Sequence, residues 1–191
     1  MKYEASYDIL VIIISIAVNL LLGTIFVLIL ICIPGDNSEI ILKTLILISL
    51  ITMPVFTFLF SPVEYSIDEG YIKIKRIIKS VSINYNDIID ISIPDEKFMK
   101  NSCRSGGVGG LFGYYGNFYN KKFGGDMKWY ATQMKKFVII KARKVKKDNT
   151  GPYSRKFNVI VLTPDKYLDF VNELKMKLNT QSGAYNYGLA D

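Results

Sequence analysis

The sequence predicts a two-helix transmembrane hairpin followed by a mainly β domain that a C-terminal α-helix caps. Three observations lead to this fold class. Two long apolar runs, residues 9–33 and 40–60, stand near the start of the chain with six residues between them. Short segments in which apolar and polar residues alternate follow, and such alternation is typical of half-buried strands. A last segment, residues 164–178, has the apolar spacing of an amphipathic helix.

The two apolar runs are long enough to cross a membrane. They contain 25 and 21 residues, which as helices span roughly 37 and 31 Å at about 1.5 Å per residue. The hydrocarbon core of a bilayer is about 30 Å thick. The first run lacks the basic start and the small-residue end of a cleaved signal peptide. Residues 1–60 are therefore predicted to form a transmembrane hairpin that anchors the rest of the chain.

The basic residues near the two spans predict the topology, because lysine and arginine favour the cytoplasmic side. The six-residue connection has none, whereas Lys2 precedes the first span. Four basic residues follow the second span at Lys73, Lys75, Arg76 and Lys79. The sequence therefore places both termini in the cytoplasm and the protein in the inner (cytoplasmic) membrane.

Three small or polar residues mark one face of the first span. Ser15, Asn19 and Gly23 recur every four residues, so they share a helix face. Small and polar residues line the contacts between membrane helices. A transport path would need ionisable groups, and neither span has one near its middle. This face is predicted to pack against the second helix or against another copy of the chain, which leaves a homo-oligomer open.

Seven segments after the hairpin have the spacing of strands. The first four are joined by short turns, which predicts an antiparallel meander. Thr163, Pro164 and Asp165 then give a typical helix start, with an N-cap, a proline at the first position and an early acidic residue. Residues 179–191 are polar and are predicted to form a tail beyond a domain of residues 61–178. The seven segments are residues 63–67, 71–77, 81–83, 88–93, 127–132, 136–143 and 155–163.

The domain carries the positive charge of the chain. From residue 61 onward there are 22 Lys and Arg against 13 Asp and Glu. Beside a bilayer, such a surplus favours anionic lipid headgroups. Nucleic acid is the other common partner of a basic domain, and the membrane anchor disfavours it. The alternative is that the surplus only keeps the domain soluble.

Residues 94–126 interrupt the strand pattern. Their centre, RSGGVGGLFGYYGNFYNKKFGGD, is too glycine-rich for regular structure and too aromatic for a solvated linker. An irregular insertion is therefore predicted here. A phosphate loop needs G-x-x-x-x-G-K-[ST], and the dinucleotide motif needs a third glycine where this chain has Phe112. Neither nucleotide-binding motif is present.

Four stretches resemble the bacterial pleckstrin-homology-like (PH-like) domains, in a membrane-anchored subgroup with a central glycine and aromatic signature. They are SPVEYSIDEGYIKI, GGLFGYYGNFYN, KWYATQMKKFVIIKA and VIVLTPDKYLDFVNEL. The resemblance covers residues 61–178. It implies a bent barrel of about seven antiparallel strands that the C-terminal helix caps. It implies no catalytic residues and gives no ligand.

The glycine and aromatic stretch is the candidate contact site, and three interpretations of it stay open. The aromatic side chains either pack over the open end of the barrel, or contact lipid at the membrane surface, or contact a protein partner. Aromatic rings collect at membrane interfaces, and lysine or arginine beside them would meet anionic lipid. The candidate contact residues are Arg104, Leu111, Phe112, Tyr114, Tyr115, Phe118, Tyr119, Lys121, Lys122 and Lys128.

The sequence favours binding over catalysis. The chain has no histidine, so the usual metal sites and the nucleophile pairs that use histidine cannot be built. We expect no enzyme activity, no cofactor and no metal, but a binding or interaction module at the cytoplasmic membrane surface. Two alternatives remain. An anionic-lipid-sensing module would bind lipid in a salt-sensitive way, whereas a scaffold subunit of a membrane protein assembly would capture its partner whatever the lipid charge.

Overall fold

The computed structural model describes residues 1–32, 37–95, 98, 101–123, 125–143 and 157–187, with the backbone alone at residues 32, 37–39, 157–158 and 181–187. Helix α1 is Ile9–Cys32 and helix α2 is Asn37–Phe60. The predicted end of the first span at residue 33 and residues 34–36 of the connection lie outside the described residues. Pro54 lies inside α2, where membrane helices tolerate proline.

Both helices are long and apolar enough to cross a membrane. The apolar core helix of a soluble protein passes the same test, but such a helix is mostly buried. Here only 11% of the most apolar window of α1 and none of that of α2 is buried within the chain. Their side chains therefore need an apolar environment that the chain itself does not supply.

The β-rich domain consists of short strands and one long closing helix. Lys121–Phe123 and Tyr85–Asp87 form short 3₁₀ turns. The helix that closes the domain is α3, Tyr167–Tyr187, which continues past the last residue of the amphipathic pattern, Leu178. The strands are β1 Lys2–Glu4, β2 Pro62–Ile67, β3 Tyr71–Arg76, β4 Val81–Asn84, β5 Ile88–Ser92, β6 Ser102–Gly110, β7 Gly113–Asn120, β8 Gly125–Ala131, β9 Val138–Arg143 and β10 Phe157–Leu162.

The strands form two sheets. The first has the order β1-β2-β3-β4, and the second has the order β5-β9-β10-β8-β7-β6. Neighbouring strands are antiparallel except β8 and β10, which are parallel. The predicted order of two apolar helices, a β-rich domain and a C-terminal helix is confirmed. The bent barrel that the resemblance implies is not closed, because β5 leaves the meander of β2, β3 and β4 and pairs with β9 in the second sheet.

Both faces of the second sheet are buried at its centre, along most of β9. Successive residues of a strand point to opposite faces, and in β9 the neighbours Ile139 and Ile140 enter different apolar clusters. The first cluster lies between the two sheets and under α3, and includes Phe170 and Leu174. The second lies on the other face around Trp129. A fully buried large apolar side chain contributes about 1.5–3 kcal/mol, so both clusters stabilise the domain.

The domain begins at the start of the chain, before the helices. Strand β1 pairs with β2 across the whole length of the hairpin that separates them in sequence, with Tyr3 opposite Tyr65. The Tyr3 ring is buried and packs edge to face on Phe170, with 5.2 Å between the ring centroids. The two helices are therefore inserted between the first two strands of one sheet.

Strands β6 and β7 correct the prediction of irregular structure for residues 94–126. They pair in regular antiparallel register over residues 102–120, with one bulge between Arg104 and Gly106. Gly107 lies opposite Gly116, and a Cβ atom on Gly107 would be only 2.3 Å from the backbone oxygen of Tyr115. Glycine here allows a close approach of two strand backbones, not a loop. Residues 96–97, 99–100 and 124 of this range lie outside the described residues.

Candidate functional site

The start of α1 is fixed to the domain by the carboxylate of Asp8. One oxygen, Oδ1, accepts a hydrogen bond of 2.8 Å from the backbone N–H of Val11, which is the bond of a helix N-cap. The other, Oδ2, accepts one of 2.9 Å from the backbone N–H of Met134, just after β8. Thr132 adds a bond of 2.8 Å from its hydroxyl to the carbonyl of Ser6. The helix therefore starts from a rigid point in the domain.

The end of α2 is also fixed to the domain by hydrogen bonds. The backbone N–H of Ile78 donates to the carbonyl oxygen of Leu59 at 3.1 Å. The Ser61 hydroxyl donates to the carbonyl oxygen of Phe112 at 2.6 Å, and the Tyr7 and Ser61 hydroxyl oxygens are 3.0 Å apart. Strand β2 starts at Pro62, two residues after the helix ends. No flexible spacer separates the domain from either helix.

The tip of the β6–β7 hairpin, Leu111–Phe112, lies against both apolar helices; we call it the docked tip. The Ser15 hydroxyl of α1 accepts a hydrogen bond of 2.9 Å from the backbone N–H of Phe112. The Phe112 ring packs edge to face on Phe58 of α2, with 5.3 Å between the centroids. Leu111 is buried. The Ser15 face of α1, predicted as a packing seam, thus contacts the domain of the same chain.

The docked tip holds Phe112 in an unusual backbone conformation. Its φ is 52°, in the left-handed region, and the flanking Gly110 and Gly113 have φ values of 109° and 119°. A non-glycine residue there costs on the order of 1 kcal/mol and persists only where the surroundings hold it. The surroundings are the contacts with Ser15, Phe58 and Ser61. The chain therefore keeps a large aromatic ring at a position where glycine would be less strained.

Tyr115 makes a further contact with α2. Its hydroxyl donates a hydrogen bond to the backbone carbonyl oxygen of Thr57. Thr57 lies three residues after Pro54 and donates its own hydroxyl to the Pro54 carbonyl at 2.8 Å. Burial raises the pKa of Tyr115, which keeps the phenol neutral and able to donate.

The other aromatic candidates separate into two groups. Tyr114 and Phe118 are buried in the second apolar cluster, where Phe118 stacks on Trp129 at 4.2 Å between the centroids. Burial raises the pKa of Tyr114 to about 12, and the nearby charge of Asp8 adds to the shift. Tyr119 is exposed at the far half of β7.

The basic candidates are not brought together. Lys121 and Lys122 follow β7 at the end away from the docked tip, roughly 26 Å from it at about 3.3 Å per residue. Lys122 pairs with Asp95 at 2.6 Å. Lys128 lies with Arg143 on a cleft of about 270 Å³ between β4 and the second sheet. Arg104 lies nearest the docked tip, because its guanidinium covers Gly109.

A second apolar tip, missed from the sequence, lies beside the end of α2. It is the β3–β4 turn, residues 76–79, which we call the open tip. Ile77 and Ile78 are 51% and 43% exposed, although turns between strands are normally polar. Arg76 places its guanidinium 5.5 Å from the Phe60 ring centroid and donates from Nε to the carbonyl oxygen of Lys79 at 2.9 Å. The signal in the sequence is two isoleucines between basic residues, at the end of a segment whose pattern predicts a strand through residue 77.

Comparison with known families gives one match. Residues 63–151 match the family model described as a bacterial PH domain. The match starts just after the second helix and covers most of the strands, which confirms the resemblance to the bacterial PH-like domains over these residues. No curated protein and no solved structure matches the chain.

Proposed function

Because the domain that follows the two helices belongs to the bacterial PH domain family, we propose that the protein is a non-enzymatic binding module on the cytoplasmic surface of the cell membrane. In this proposal α1 and α2 cross the membrane, and the domain binds lipid or protein where they leave it. The chain has no histidine, so it cannot form the nucleophile pairs that use histidine.

The observation that carries the proposal is the rigid attachment of the domain at both helix ends. Asp8 fixes the start of α1, and the Ile78–Leu59 bond of 3.1 Å fixes the end of α2. With only Ser61 between α2 and β2, the domain cannot move away from the ends of the helices. If the helices span a bilayer, the surface around the open tip meets the headgroups.

The open tip has the chemistry of an interfacial contact. Ile77 and Ile78 are apolar, exposed and adjacent to the last turn of α2. Arg76 and Lys79 flank them, so apolar side chains for the acyl boundary stand between cations for the headgroups. Each well-placed lysine or arginine near an anionic surface contributes about 1 kcal/mol. Among the predicted contact residues, Arg104, Leu111 and Phe112 belong to the same boundary.

The position of β1 supports a cytoplasmic location for both termini. Since β1 pairs with β2 and the N-terminal amino group donates to the carbonyl oxygen of Ile67 at 2.9 Å, the first residues lie with the domain. The domain carries 22 basic against 13 acidic residues from residue 61 onward, and basic flanks favour the cytoplasmic side.

A spin label tests the proposal on the full chain in lipid nanodiscs. In a Cys32→Ser, Cys103→Ser background, Ile78→Cys carries the label, and Met176→Cys is the control. Met176 is 64% exposed and lines a groove with Met1, at the end of β1 away from α1. We expect the label at residue 78 to be accessible to oxygen and shielded from a nickel chelate, and the label at residue 176 to be open to nickel. Equal nickel access at both positions would contradict the proposal.

The same label separates the two alternatives. In nanodiscs with and without anionic lipid, a lipid-sensing module would show deeper immersion of residue 78 with anionic lipid, reversed by salt because screening weakens the attraction. Immersion that ignores lipid charge and salt would favour the scaffold subunit, which reads a protein partner instead.

A further inference from the structure

A cavity of about 480 Å³ lies between α1 and α2 next to the docked tip. It runs along α1 from Asn19 to Phe26, a length of about 10 Å. Phe112 closes it at the domain end. Its lining residues are Asn19, Leu22, Gly23 and Phe26 of α1, Leu50, Ile51, Pro54, Val55 and Phe58 of α2, and Phe112.

The walls of this cavity are apolar. Asn19 is the amide among the lining residues, and its side-chain nitrogen donates to the carbonyl oxygen of Ser15 at 2.7 Å. Gly23 widens the cavity, because a Cβ atom built on it would meet no atom within 4 Å. The two helices therefore diverge here instead of packing through the predicted seam of small residues.

We propose that this cavity binds one hydrocarbon chain of a membrane lipid. The inference rests on the proposed function in one respect, that α1 and α2 cross the membrane. The exposed apolar faces of both helices continue into the cavity, with Leu20 and Leu21 at 68% and 60% exposure beside it on α1. In a bilayer the cavity opens to hydrocarbon. Left empty, it would forfeit the dispersion contacts of its whole lining, and its volume lies in the range of ligand pockets, about 300–1,000 Å³.

The surroundings of the cavity favour a lipid chain over a helix of a second copy. The cavity adjoins the exposed apolar faces of both helices, with Leu20 and Leu21 beside it on α1, and in a bilayer hydrocarbon chains cover such faces. A lipid chain is therefore already present at the opening, whereas a second copy would have to lose its translational and rotational freedom to fill it.

A bound chain would touch the domain through one side chain. Phe112 forms the end of the cavity and at the same time accepts the Ser61 bond and donates to Ser15. The strained backbone at Phe112 has a purpose in this arrangement, since it points the ring of the docked tip at the lipid chain. Glycine at that position would leave the chain without contact with the domain.

A photoreactive lipid tests the inference on the full chain in nanodiscs. The probe is phosphatidylcholine with a diazirine in one acyl chain, and labelled residues are mapped by mass spectrometry. Gly23→Phe fills the cavity, and Leu21→Phe places the same ring on the outer face of α1. We expect labelling of the cavity residues to fall about fivefold or more in Gly23→Phe, because the ring takes the space of the chain, and to stay unchanged in Leu21→Phe.

Two results would overturn the inference. One is labelling of the cavity residues that is no stronger than on the outer faces or that Gly23→Phe leaves unchanged. The other is a Gly23→Cys disulfide between two copies, which would place a second chain in the cavity. Resistance of all variants to carbonate extraction keeps the inference separate from the proposed function. If the chain is extracted, the proposed function fails too, whereas retention without specific labelling sinks the lipid-chain site alone.

Discussion

The docked tip and the open tip are similar in composition, but the docked tip packs against the helices and the open tip is exposed. Both are apolar turns between antiparallel strands, both lie beside α2, and both hold a non-glycine residue in the left-handed region, Phe112 at φ 52° and Lys79 at φ 57°. The docked tip is enclosed by contacts with α1, α2 and Ser61. The open tip touches α2 through a backbone bond of 3.1 Å and through Arg76, whose guanidinium lies 5.5 Å from the Phe60 ring centroid, and it leaves Ile77 and Ile78 exposed.

The docked tip attaches the domain to the two helices, whereas the open tip is available to contact lipid. The apolar side chains of the docked tip pack against other parts of the molecule, so changing them should alter the stability of the fold. The open tip keeps its apolar side chains unburied, so changing it should alter lipid contact and leave stability nearly unchanged. Substitutions in and beside the two tips test this division.

Gly107→Ala should have the largest effect, because it pushes apart the two strands that carry the docked tip. A Cβ atom there would lie 2.3 Å from the Tyr115 oxygen, and φ is 126°. We expect the free energy of unfolding to fall by about 3 kcal/mol. The measurement is unfolding of the full chain in detergent micelles, followed by the fluorescence of Trp129, the single tryptophan, which stacks on Phe118.

The matched control is Gly106→Ala on the same strand. A Cβ atom there would meet no atom within 4 Å, so we expect a change of less than about 0.5 kcal/mol. Similar losses from the two alanines would mean that the close approach of β6 and β7 does not support the docked tip.

Ser15→Ala should have an intermediate effect, because the backbone N–H of Phe112 loses its acceptor at 2.9 Å. An unsatisfied donor away from water costs about 1–3 kcal/mol. Ser49→Ala on α2 is the control, since the Ser49 hydroxyl is exposed and bonds only within its own helix, to the carbonyl of Ile46 at 2.7 Å. The same micelle unfolding measures both. A loss for Ser49→Ala as large as for Ser15→Ala would contradict the attachment of the docked tip to α1.

The division also shows what the sequence could and could not predict. The helices and strands β2, β3, β9 and β10 follow from local periodicity, which needs no knowledge of the rest of the chain. Strand β1 does not, because three residues with Tyr3 at their centre form a strand only when β2 pairs with them. The separation into two sheets depends in the same way on the pairing of β5 with β9, which are distant in sequence.

The sequence identifies the glycine and aromatic stretch as the candidate site, but it does not predict that the stretch forms two paired strands. From the sequence alone the glycines of β6 and β7 predict a loop, whereas in the structure Gly107 and Gly116 allow two strand backbones to meet. Once β7 is a strand, alternation places Tyr114 and Phe118 on a different face from Tyr115, which a loop assignment cannot do. The open tip does not follow from the sequence because the run of apolar and basic residues predicts a strand through Ile77, and only the structure ends that strand at Arg76.

Replacing Lys79 or Phe112 by glycine removes the same kind of backbone strain from the two tips. Lys79→Gly should raise the free energy of unfolding by about 0.5 kcal/mol, because relief of a left-handed residue slightly exceeds the greater freedom that glycine gives the unfolded chain. Phe112→Gly gains the same relief but loses the ring that packs on Phe58 at 5.3 Å, so it should lower that free energy by about 1 kcal/mol.

The two glycine variants should therefore shift the micelle unfolding midpoint in opposite directions. Contact with the headgroups should fall in Lys79→Gly, because Lys79 contributes a cation there. It should stay unchanged in Phe112→Gly, because the Phe112 ring faces α1, α2 and the cavity between them. If both variants gain stability, the Phe112 ring adds nothing to the attachment of the domain. The docked tip would then be a second open tip, and the contrast between them would disappear.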